Sequence, residues 1–153
     1  MHVTVKIRIL ICFFIAALVV SGITAFPLET ELKWLLVHPS LVPSFMLGWL
    51  QACYDALTQT NRHYPMLAYG YDWLAFAHIV IALLFIGPLK DPVKNIWVIE
   101  WGMLACVAVI PLAFIAGSAR GIPLYWKLID CSFGVVGIIP LYFLRKWIRQ
   151  LER

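Results

Sequence analysis

The chain has 153 residues, 63% of them apolar and 13% charged, with a formal net charge of +4. Soluble domains are roughly half apolar and a quarter charged, so this chain cannot furnish a water-facing surface, and its excess apolar groups are expected to face lipid. The positive charge does not point to nucleic acid, because Lys and Arg stand singly or in small groups beside apolar runs; phospholipid headgroups are the expected partners.

Residues 7–26, IRILICFFIAALVVSGITAF, read as a first span, with Lys6 just before it and Arg8 in its first turn, and stopped by Pro27. About 20 apolar residues cross a hydrocarbon core. The alternative for residues 1–25 is a cleaved secretory leader, given the basic start and Ala25; the length of the run and Ile23, where a small side chain is preferred, weigh against it. Residues 27–65 interrupt the pattern with scattered polar groups. Met46, Trp49, Leu50, Cys53 and Leu57 nevertheless recur at helical spacing, with Gln51 and Asp55 off that stripe, which predicts an amphipathic helical cap. Further spans are expected at 66–86, ending at Gly87-Pro88, at 96–116, ending at Gly117-Ser118, and at 124–144, followed by a basic tail over 145–153. Short connections make consecutive helices antiparallel neighbours. The expected fold is therefore an all-α integral membrane protein: a single membrane domain forming a four-transmembrane-helix antiparallel bundle, with the amphipathic cap between the first two helices.

Lys6, Arg8, Lys90, Lys94, Arg145, Lys146, Arg149 and Arg153 fall on one side, against Lys33, Arg62, Arg120 and Lys127 on the other. The positive-inside bias makes the first side, with both termini, cytoplasmic, and places the cap outside; in a bacterium this would be the inner membrane. Seven Trp, six Tyr and nine Phe suit the two interfaces.

Ionisable groups in hydrocarbon cost about 2.5–3.5 kcal/mol on insertion scales, so Asp72, His78, Glu100 and Asp130 are where function is sought. Ala68, Tyr71, Ala75, His78 and Ala82 form a small-residue stripe that directs His78 toward the bundle. Pro123, Lys127, Asp130, Gly134 and Gly137 share a face on the last span. Glu100 shares one with Leu104, Val107 and Pro111, whose ring frees the Val107 carbonyl and is expected to line a cavity. Counted from the outer ends, Asp72 and Asp130 lie about 9 Å down, His78 about 18 Å and Glu100 about 24 Å. Asp72, His78 and Asp130 are expected to share an outward-opening pocket, with Arg120 and Lys127 at its rim.

Each group also has a structural reading: Lys127 with Asp130, or Asp72 with Arg120, as neutralising pairs; His78 as a neutral packing residue; Glu100 as a snorkelling or protonated group, or one paired with Lys94 or another base on the same side. Cys12, Cys53, Cys106 and Cys131 lack CxxC or metal-ligand spacing, and His38, His63 and His78 form no HxxxH or HExxH pattern, so no metal, haem or other cofactor is expected.

Three functions are carried forward. The first is binding, and in an enzyme transforming, an apolar or amphiphilic molecule, with His78 and Asp130 as acid and base and Tyr71, Asp72, Glu100, Arg120 and Lys127 around the ligand. The second is a non-catalytic subunit or assembly factor of a membrane complex. The third is proton or ion movement along Asp72, Asp130, His78 and Glu100, for which so small a chain would act as a homodimer.

Overall fold

The computed structural model describes residues 3–152, and among these every regular element is helical. In chain order they are α1 (Val3–Ala25), α2 (Leu28–Val37), a 3₁₀ turn (Pro39–Leu41), α3 (Ser44–His63), α4 (Pro65–Leu84), α5 (Ile86–Lys90), α6 (Ile96–Ala119) and α7 (Leu124–Leu151). Four segments are long and apolar enough to cross a membrane: α1, α4 continued through α5, α6 and α7. Residues such as Leu104, Ile115 and Phe133 stand well exposed on them, as lipid-facing side chains would.

The chain divides into two compact units, Met1–Ile15 with Leu84–Arg153, and Ala16–Leu83. The core of the first unit is the α6–α7 hairpin. Ile7, Ile11, Phe85, Val98, Ile99, Leu141, Leu144 and Ile148 are buried within the protein, and Phe14 stacks on Phe85 with ring centroids 5.6 Å apart. Glu100 meets Arg145, Gly102 faces Leu141, Cys106 faces Gly134 and Gly137, and Gly117 lies under Lys127, so the two helices run antiparallel.

Gly121, not Gly117-Ser118, ends α6. It takes a φ of +67°, its N–H donates to the Ser118 carbonyl, and the Ile122 N–H donates to Gly117 at 2.8 Å. Those two bonds make a Schellman cap, which needs a residue at ease in the left-handed region. Gly117 is small for another reason. A Cβ there would meet the Lys127 stem at 2.9 Å, so the residue read as a stop is a packing glycine inside the helix. At the other end of the hairpin Asn95 closes the α5–α6 connection, its Nδ2 donating to the carbonyls of Asp91 and Gly87 at 2.9 and 3.2 Å.

In the second unit, residues 27–65 resolve into α2, the 3₁₀ turn and α3. Leu50 is buried on α3, with Met46, Trp49, Cys53 and Leu57 half-buried along the same stripe. Gln51 and Asp55 are exposed on the other side and hydrogen-bond each other at 2.9 Å. On α4, Ala75 and Ala82 are buried, and the partner of that stripe is Gly22 of α1: a Cβ at Gly22 would meet the Ala75 carbonyl oxygen at 2.8 Å and Ile79 Cγ1 at 2.9 Å.

Candidate binding site

The ionisable residues of the spans fall into four local settings. In the first unit, Glu100 is an ion-pair hub. Arg145 Nε and Arg149 Nη2 donate to the same carboxylate oxygen, at 2.7 and 2.9 Å, from one face of α7. Its partners are thus the two arginines rather than Lys94, which pairs with Asp91. The face of Leu104, Val107 and Pro111, expected to line a cavity, is an open one. Leu104 and Val107 are about two-thirds and one-half exposed, and α6 continues as a helix through the proline.

A cavity of about 280 Å³ lies instead on the neighbouring face of α6, near the hairpin turn, walled by Val109, Leu112, Ala113, Ala116, Gly117 and Ile122 together with Arg120 and Asp130. Glycines on the Asp130 face allow the helices to close just past the carboxylate: a Cβ at Gly134 would collide with the backbone carbonyl of Cys106, and one at Gly137 would meet Cys106 Sγ at 3.1 Å. Lys127 does not neutralise Asp130. Its ammonium donates to Ser118 Oγ at 3.1 Å and sits 5.9 Å from the centre of the Phe114 ring. Among the described residues neither the Asp130 carboxylate nor the Arg120 guanidinium has a hydrogen-bond or ion-pair partner, so two opposite charges border one apolar cavity without being tied together.

In the second unit His78 lies on the α4 stripe beside Gly22, and its Nδ1–H donates to the Leu74 carbonyl at 2.8 Å. One ring nitrogen is thereby spent on its own helix, which is how a packing histidine is satisfied. Asp72 borders a separate groove with Phe26, Tyr69, Trp73 and Phe76. Tyr71 turns to a polar network that residue spacing alone did not reveal. Its hydroxyl donates to Asn61 Oδ1 at 2.9 Å, Asn61 Nδ2 donates to Glu29 Oε2, and Thr58 Oγ1 donates to Glu29 Oε1 at 3.1 Å. Thr58 and Asn61 stand one turn apart on α3, the only local sign of the arrangement; Glu29 is about thirty residues away.

This network joins α2, α3 and α4 through one side-chain amide. Asn61→Leu is expected to cost about 1–3 kcal/mol, because it strands the Tyr71 hydroxyl and part of a half-buried carboxylate, whereas Tyr71→Phe, removing one bond, should cost about 0.5–1.5 kcal/mol. Reversible unfolding in mixed micelles measures both, and equal losses would mean that Asn61 does not bridge the helices. On α3 partial burial pushes the Cys53 thiol up, which makes it a poor nucleophile at neutral pH. Comparison with protein-family models, with characterised proteins and with solved structures finds no match for this chain.

Proposed function

We propose that this is a polytopic membrane protein that binds an apolar or amphiphilic small molecule in the cavity beside Asp130 and Arg120. One observation carries the reading: an apolar recess of about 280 Å³ bordered by a carboxylate and a guanidinium that have no partner among the described residues. Such a recess suits a ligand whose apolar body fills the Val109 to Ile122 wall while a polar head meets one or both charges. Binding is favoured over acid–base chemistry, because the described walls of the cavity hold a single carboxyl group, Asp130, and no histidine. The proton-relay reading is weakened by Glu100, which is taken up by two arginines. The wider arrangement proposed with this function is a four-helix antiparallel bundle, α2 and α3 capping it outside and both termini cytoplasmic. Its motivation is the Lys and Arg distribution.

The protein purified in mild detergent should retain a lipid-like ligand near one per chain in native mass spectra. Asp130→Asn and Ala116→Phe, the second filling the recess, should each lower that occupancy about tenfold. Unchanged occupancy in both variants would overturn the assignment, and recovery of a stoichiometric membrane partner without ligand would favour the subunit reading instead.

A further inference from the structure

We propose that the groove of Asp72 in the second unit binds the head of a bulky quaternary organic cation carried on an apolar body. This goes beyond the amphiphile reading, since it concerns other residues in the other unit and stands or falls without it.

Tyr69, Asp72, Trp73 and Phe76 stand at positions i, i+3, i+4 and i+7, so all four share one stripe of α4, and Phe26 joins them beyond the end of α1. The rings are ordered among themselves: Tyr69 meets Trp73, and Trp73 meets Phe76, edge to face, each at 5.9 Å between centroids. Asp72 is half-buried and has no hydrogen-bond or ion-pair partner among the described residues. A carboxylate inside an apolar span is expensive unless a cation answers it. Aromatic faces carry negative quadrupole charge, so four rings and one carboxylate around a space of about 290 Å³ all favour a positive guest.

The same surroundings decide which cation. A metal ion needs several oxygen ligands, and the groove offers one carboxylate; a primary ammonium would leave N–H donors unmet against the rings. A quaternary centre has no donors to satisfy, sheds water readily and spreads its charge over alkyl or aryl groups that the rings can cover. A choline lipid headgroup and a free lipophilic cation share this chemistry.

Tetraphenylphosphonium, titrated calorimetrically into the protein in maltoside micelles, should bind saturably, while the isosteric anion tetraphenylborate should not. Asp72→Asn should weaken the cation at least tenfold, Trp73→Leu several-fold, and Trp73→Phe much less; Asp72→Glu should keep most of the affinity. Asp55→Asn, on the exposed side of α3, should change nothing. Competition by added phosphatidylcholine but not phosphatidylglycerol would identify a lipid headgroup as the guest, and absence of competition a free cation. Equal binding of cation and anion, no saturable binding, or Asp72→Asn within twofold of the parent would each overturn the proposal.

Discussion

Gly134→Val is expected to be the most damaging conservative substitution in the protein, costing about 3 kcal/mol or somewhat more. A Cβ on Gly134 runs into the carbonyl of Cys106, which is backbone in the middle of α6 and cannot swing aside as a side-chain tip would. Relief requires the hairpin to separate, and separation exposes the Cys131 and Leu141 contacts that hold it. Gly48→Ala supplies the opposite sign: nothing lies within 4 Å of its Cβ position on α3, so the change should stabilise by about 0.5–1 kcal/mol through helix propensity. Reversible unfolding followed by far-ultraviolet circular dichroism, in identical mixed micelles, reads both. The same closeness gives an independent check. A Cβ at residue 137 meets Cys106 Sγ at 3.1 Å, the reach across a Cβ–Sγ–Sγ angle when the S–S bond is about 2.04 Å. Gly137→Cys should therefore oxidise with Cys106 and lose both thiols to alkylation under mild oxidant. If Gly134→Val unfolds like the parent and Gly137→Cys stays reduced, α6 and α7 do not approach at these glycines.

These contacts show where the sequence is readable and where it stops. Small residues at helical spacing on the last span mark a face meant for close approach, and in the structure Gly134 and Gly137 lie against α6. What they approach is the backbone of Cys106, and a backbone atom leaves no trace in residue type. Gly22 was hidden for a related reason. The first span is apolar all round, so periodicity singles out no face of it, and only the contact with Ala75 and Ile79 shows the glycine's use. Gly117 and Gly121 illustrate a different limit: the sequence reading places the stop at Gly117-Ser118, and only the positive φ at Gly121 distinguishes the cap from a packing position. At Pro111 the inference ran from a freed carbonyl to a cavity, yet the recess lies on the adjoining face through Ala113 and Gly117, because the packing of α7 decides which side of α6 is enclosed. The Glu29 network was illegible because its partners sit far apart in sequence among ordinary surface-like polar residues.

Glu100→Gln is expected to destabilise the hairpin by about 1–2 kcal/mol, and Glu100→Leu by more, while Arg149→Gln alone should cost less than about 1 kcal/mol. The asymmetry follows from the geometry. One carboxylate oxygen accepts from Arg145 at 2.7 Å and from Arg149 at 2.9 Å, so removing the acid leaves two guanidiniums side by side with no charge between them, whereas removing Arg149 leaves the shorter pair intact. Arg149 is also the more exposed of the two arginines, with 54% of its side chain accessible against 34% for Arg145, so more of its interaction is screened. Tyr142, Lys146 and Gln150 border the same recess as the two arginines, and Lys146 adds a third positive charge beside them. Glu100→Gln in combination with Arg145→Gln should therefore recover part of the loss, as repulsion falls with the second change. A double-mutant cycle read by unfolding at low and at high salt tests this, with the recovery expected to shrink as ionic strength rises. Strict additivity at both salt concentrations would mean that the carboxylate and the arginines do not act as one cluster, and that the antiparallel register of α6 on α7 rests on the glycine contacts alone.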